Sequence, residues 1–253
     1  AMFSVSYSVQ EIEAAIENLI EKEYVVYLKR SNDFLRLKQS SGVDVRKKIE
    51  DMVTLRSGKV SVKEILGEAN FDNFVYPSRY NDEKEMTRYF AFEFVEEEEV
   101  TEDVDWKIKS ESSEADGIVY AVIPHSGESI GLIKERLLSS SAECDRCIFI
   151  VPKQYTEIKE FVREYDAAAL LREQAVGDKV LFSEYEVIYE DLREVIGGYI
   201  HGYTHPEEMR ACYIYKGTEQ EVIRKAAFTE LVSSICDEIY SDTPVINSEA
   251  INK

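Results

Sequence analysis

The sequence predicts an α/β protein: a small winged-helix-like N-terminal module, then a Rossmann-like domain on a largely parallel sheet. Three observations carry this. GIVYAVIP (117–124) and CIFIVP (147–152) are continuous apolar runs, each followed by a helical pattern, which is how strands buried on both faces of a parallel sheet read. YFAFEFVE (89–96) alternates instead with period two, as a half-buried strand does. The first seventy residues alone combine a capped helix, a hairpin with a polar tip and further short helices.

In order along the chain, Ser8 and Glu11 form a capping box ahead of Ile12, Ala15, Ile16, Leu19 and Ile20 at helical spacing. YVVYLKR and FLRLK flank a polar SND turn as a hairpin. GVDVRKKIEDMV is a second amphipathic helix, and SVKEILGEA, with a Ser61–Glu64 capping box, a short third. These elements make residues 1–70 the winged-helix-like module. Residues 71–100 are expected to be a junction with the first strand of the sheet, and 101–253 the α/β domain. In the latter, EEEEVTEDVD is an acidic excursion or strand edge, and SIGLIKERLLSS follows the first buried strand as a helix. YTEIKEFVREYDAAALLREQA and SEYEVIYEDLREVIGGYIHGYTH are long helices, ACYIYKGTEQEVI a hairpin around Lys216-Gly217-Thr218, and KAAFTELVSSICDEIY a closing helix.

Charge restricts function more than fold. Fifty Asp and Glu against 30 Lys and Arg give a net charge of -20, and residues 1–70 are neutral, so the excess lies beyond them. Nucleic-acid affinity is largely phosphate neutralisation, so only residues 1–70 could bind DNA, through Lys29, Arg30, Lys47 and Lys48 together with Arg36, Lys38 and Arg46. The candidate recognition helix EIEAAIENLIEKE is acidic, which favours protein packing over a DNA groove. No secretory signal and no apolar run near the roughly 18 residues of a membrane span occurs, so no membrane partner and a cytoplasmic location are expected. The opening Ala-Met and the stop at SEAINK suggest a piece of a larger protein.

Catalytic and cofactor signatures are sparse, and no catalytic, cofactor-binding or metal residue is assigned. Neither GxxxxGK[ST] nor GxGxxG occurs. Ser126 and Gly127, in PHSGES after the first buried strand, could hold an anion at a helix start, at the end of a strand where α/β sheets place ligands; capping by Ser126 is the simpler reading. Cys144 and Cys147 form a CxxC before a strand rather than at a helix start, and Cys212 and Cys236 are far apart in sequence, which reads as buried thiols rather than a redox or zinc motif. His201 and His205 share i, i+4 spacing but lack the intervening Glu of a metalloprotease helix. In YPSRYNDEKEMTRYFAFEF (76–94), carboxylates nearly balance the basic residues. The stretch reads as an interdomain junction, with Arg79 and Arg88 kept as candidate contacts to a partner or an anion.

Three tracts carry a resemblance: YVVYLKRSNDFLRLKQSSGVDVRKKIEDM, YPSRYNDEKEMTRYFAFEFV and ICDEIYSDTPVINSEAIN. Together they resemble the region C-terminal to the ATPase core in large bacterial antiphage-defence (BREX-type) P-loop ATPases and relatives. The resemblance implies a non-catalytic regulatory or protein-interaction role beside an ATPase core, with the rest of a parent chain or a protein partner as the binding partner and no cofactor held. The alternatives are a DNA-binding winged-helix region of a DNA-modifying or restriction complex, and an α/β enzyme using the Ser126–Gly127 turn.

Overall fold

The computed structural model describes residues 8–22, 24–29, 34–37, 42–102 and 104–244. The chain divides into two compact units, Ala1–Val60 with Lys159–Val195 and Ser61–Ile158 with Ile196–Lys253. This differs from the division expected at residues 70 and 100. Helix α3 (Val62–Ala69) and residues 76–94 belong inside the second unit, so the charged stretch is no junction between units, while residues 159–195 join the first.

The first unit comprises α1 (Val9–Glu21), the antiparallel hairpin β1 (Val25–Lys29) and β2 (Phe34–Leu37), α2 (Val45–Arg56), α8 (Lys159–Gln174) and residues 179–195 of α9 (Lys179–Thr204). Ser8 and Glu11 cap α1 reciprocally, as expected. Asp44 caps α2 by accepting from the Lys47 amide at 3.0 Å. Its apolar stripe, Val45 and Ile49, then packs with Ala167, Ala168 and Leu171 of α8. That stripe explains the altered division, because α2 finds its core far along the chain. Polar contacts fix the register: Arg56 forks onto Asp166, with Nη2 donating to Oδ1 at 3.1 Å, and the Tyr165 and Tyr189 rings stack at 4.9 Å. Two long helices that the winged-helix reading of residues 1–70 did not include thus complete this unit.

The second unit is built on one six-stranded sheet. Its strands are β3 (Phe74–Val75), β4 (Phe90–Glu96), β5 (Gly117–Ile123), β6 (Cys147–Pro152), β7 (Ala211–Tyr215) and β8 (Thr218–Gln220), lying side by side in chain order. β4, β5 and β6 are parallel, and the outer pairings are antiparallel. Every residue of β5 and β6 is buried, as their unbroken apolar runs require. The acidic tract after β4 is not an edge but folds into α5 (Glu97–Thr101), and α6 (Trp106–Glu111) follows. These helices and α7 (Ser129–Ser140) cover one face, where Val100, Trp106, Ile133 and Leu137 meet Ile118, Tyr120, Phe149 and Val151. The other face receives the end of α9 and α10 (Lys225–Ile239): Tyr203 meets Phe94 edge-on at 5.7 Å, and Phe228 lies 5.2 Å from Tyr213. α3 (Val62–Ala69) and α4 (Ser78–Lys84) complete the unit.

Two sequence details set this geometry. Lys216 (φ 47°) and Gly217 (φ 65°) join β7 to β8 in register, with Tyr215 opposite Thr218. Positive φ at both loop positions is the hairpin turn whose twist suits its strands. Gly117 opens β5 where a Cβ would stand 2.3 Å from Phe90 Cε1 and 2.6 Å from the Arg146 carbonyl oxygen, so glycine lets β4, β5 and the approach to β6 close up.

Candidate functional site

The C-terminal ends of β4, β5 and β6 lie together, and open α/β sheets bind ligands at this edge. The strand order here has no reversal and therefore no switch-point crevice between parallel strands. What the edge carries is set by the residues that leave each strand.

The turn after β5 is occupied by its own side chains. The Ser126 hydroxyl oxygen accepts from the Ser129 amide at 3.2 Å, and the Ser129 hydroxyl oxygen accepts from the Ser126 amide at 3.3 Å. Gly127 lies beside Tyr155 on the next loop, with 3.7 Å between its would-be Cβ and the tyrosine Cβ. The preceding His125 amide donates to Glu97 at 2.7 Å, and His125 Nε2 stands 2.9 Å from Glu98. An anion at Ser126 and Gly127 would thus compete with hydroxyls for the amides and face carboxylates from the end of β4.

One ligand-type cluster is found among the described residues: donor atoms of Glu96, Glu98 and His125 lie within 4.8 Å of one another. Two carboxylates and an imidazole could hold a divalent metal, although here Glu98 already pairs with the imidazole. Glu99 points away to Lys63 at 2.7 Å and Lys109 at 3.3 Å. Burial pushes its carboxyl up, but Lys63, the Glu96 amide and Lys109 outweigh this and hold it below the usual range.

Beside this edge, where β6 leaves the sheet and β7 enters it, a cavity of about 310 Å³ opens. Its walls include Lys153, Thr156, Tyr199, Tyr203, Glu208 and Arg210. The buried Tyr203 hydroxyl donates to the Val122 carbonyl at 2.9 Å and lies 2.8 Å from that of Tyr199. Burial raises the Tyr199 phenol to about 12 and pushes Tyr203 well above the ordinary phenol value, so both rings present neutral phenols. Arg210 Nη1 donates to the Gly198 carbonyl at 3.1 Å and to Glu208 at 3.3 Å. Gly202 permits this, because a Cβ there would meet the guanidinium carbon at 3.1 Å. His201 Nδ1 lies 2.6 Å from the other Glu208 oxygen, and the His201 and His205 rings stack at 3.3 Å. Stacked rings direct their nitrogens sideways, so this pair does not converge on a metal.

Arg79 and Arg88 are both used inside the second unit. Arg79 reaches three carboxylates: Glu230 at 2.9 Å, Asp237 at 2.7 Å and Glu83 at 3.2 Å. Arg88 lies 3.3 Å from the Tyr240 ring and pairs with Asp116. Asp116 in turn accepts from the Tyr240 hydroxyl at 2.8 Å and the Tyr89 amide at 3.0 Å. The Asn81 side chain bonds both the amide and the carbonyl of Arg88 at 2.9 Å. The charge in residues 76–94 therefore clamps α4 and β4 to α10. In the first unit, Lys47 and Lys48 are exposed on α2; Lys29 ends β1, and Arg30 lies outside the described residues.

All four cysteines are buried and free. The Cys147 thiol and the Arg146 amide hold Cys144 down to about 7 despite burial, while its neighbour and burial push Cys147 up. Of the cavity residues, Lys153 had a sequence signal, a basic residue directly after a buried strand. Arg210 had none, since only strand pairing brings it there. No protein-family model, curated protein or solved structure matches the chain.

Proposed function

We propose that the chain is a non-catalytic regulatory and protein-interaction region of a large P-loop ATPase of the antiphage-defence type, acting beside a nucleotide-binding core outside these residues. The observation that carries the reading is the turn after β5. At the place where an α/β sheet would receive nucleotide phosphates, Ser126 and Ser129 occupy each other's amides and Glu97 and Glu98 surround His125. Carboxylates there repel a triphosphate, and the sequence holds no phosphate loop. Isothermal titration of the chain with Mg·ATP should give no heat of binding; a dissociation constant in the micromolar range overturns the reading.

A second reading, DNA binding through the first unit, has the exposure of Lys47 and Lys48 in its favour. It expects a labelled duplex to bind at low salt and to be lost on Lys47→Glu with Lys48→Glu, because each phosphate contact steepens the salt dependence. An unchanged anisotropy at low salt removes it.

A further inference from the structure

The cavity at the β6–β7 end holds a charge arrangement that the folded chain does not itself neutralise. Pro152 pairs with Ala211, and the Lys153 amide donates to the Arg210 carbonyl at 2.8 Å. Lys153 and Arg210 are therefore directly opposed on antiparallel neighbours, a position where like charges are unfavourable. Both line the cavity. In a protein with 50 acidic residues, Lys153 makes no side-chain hydrogen bond or ion pair with any described residue. Both bonds of Arg210 run through Nη1, which leaves its Nε and Nη2 hydrogens unpartnered among the described residues. Glu208 supplies one negative charge and shares it with His201. Gln154 and Thr156 add hydrogen-bonding side chains on the Lys153 side, and Met209, beside Arg210, is held at φ 55°, a left-handed conformation that functional loops often retain.

We infer that this cavity is a binding site for a small phosphate monoester, with Lys153 and Arg210 on the phosphate and the Tyr199 and Tyr203 rings against its organic part. A guanidinium fork and an ammonium match a dianionic phosphate, for which a single carboxylate is a poorer substitute. At about 310 Å³ the cavity lies at the small end of ligand sites, which span about 300–1,000 Å³. It suits a compact monoester and not a nucleoside triphosphate, so the site is independent of the Mg·ATP result above.

The test is calorimetric titration of the whole chain with phenyl phosphate at constant ionic strength, with benzoate and inorganic phosphate as parallel arms. Phenyl phosphate should bind, inorganic phosphate more weakly for want of the ring contact, and benzoate weakest. Lys153→Gln and Arg210→Gln should each weaken phenyl phosphate at least tenfold. Glu208→Gln, which removes the competing carboxylate, should tighten it. The exposed Lys153→Gln change keeps the test valid should Arg210→Gln unfold the chain. Absence of heat with phenyl phosphate, benzoate binding as tightly, or affinity indifferent to Lys153→Gln overturns the assignment.

Discussion

Asp116 is the residue on which the clamp between β4 and α10 turns. It accepts from the Arg88 guanidinium, the Tyr240 hydroxyl and the Tyr89 amide, and the Arg88 and Asp116 side chains are only 21% and 16% exposed. Removing the carboxylate strands a partly buried guanidinium, so Asp116→Ala should cost about 3 kcal/mol, read as a lower urea midpoint. Arg79 makes more ion pairs, but in a more exposed place, where each pair contributes about 0–1 kcal/mol. Arg79→Ala should therefore cost less than Asp116→Ala. Glu99 adds a pH signature. Its folded-state pKa is depressed, so its stabilisation is complete above the ordinary value of 4.5 and is lost as pH falls through the lower folded value. The stability difference between wild type and Glu99→Gln should be constant near pH 6 and shrink below pH 4.5; a difference that grows on acidification would contradict the Lys63 and Lys109 contacts.

At the scale of elements, glycines give predictions of opposite sign. Gly197 lies inside α9, and a Cβ there meets nothing within 4 Å. Gly197→Ala should raise stability by about 0.5–1 kcal/mol, because alanine loses less backbone entropy in a helix. Gly117→Ala should lower it by about 1–3 kcal/mol, since the new methyl would overlap Phe90 and the Arg146 carbonyl. Thermal melts of both variants decide the pair. The sequence showed both glycines but not this difference: the α9 pattern announced its helix, whereas the crowding at Gly117 depends on a neighbouring strand. The same division holds elsewhere. Capping boxes at Ser8 and Ser61, the buried runs of β5 and β6 and the Lys216–Gly217 hairpin were legible because each rests on residues close in sequence. The joining of α2 to α8 and the opposition of Lys153 to Arg210 were not, because both depend on contacts between distant segments. EEEEVTEDVD was misjudged as an excursion or edge because its charge hid Val100, which α5 turns into the core.

At the scale of the molecule, the net charge of -20 sets two salt effects against each other. Salt weakens exposed pairs such as those of Arg79 and Lys216 with their carboxylates, and so lowers stability. Salt also screens repulsion among the unpaired carboxylates, which the compact state concentrates and unfolding relieves. With the Debye length falling from about 30 Å at 0.01 M to about 8 Å at 0.15 M, the second effect acts over the whole charged surface, whereas the first acts only on close pairs of small individual value. The repulsion should win. Raising sodium chloride from about 0.01 M to about 0.15 M should therefore increase the melting temperature by about 2–4 °C, corresponding to about 1 kcal/mol for a chain of this size. Phosphate at the same ionic strength should add a further increase through the Lys153–Arg210 cavity, and Lys153→Gln should abolish that increment while leaving the chloride effect in place. An increment from phosphate that survives Lys153→Gln would assign it to the general exclusion of phosphate from the protein surface and not to the cavity.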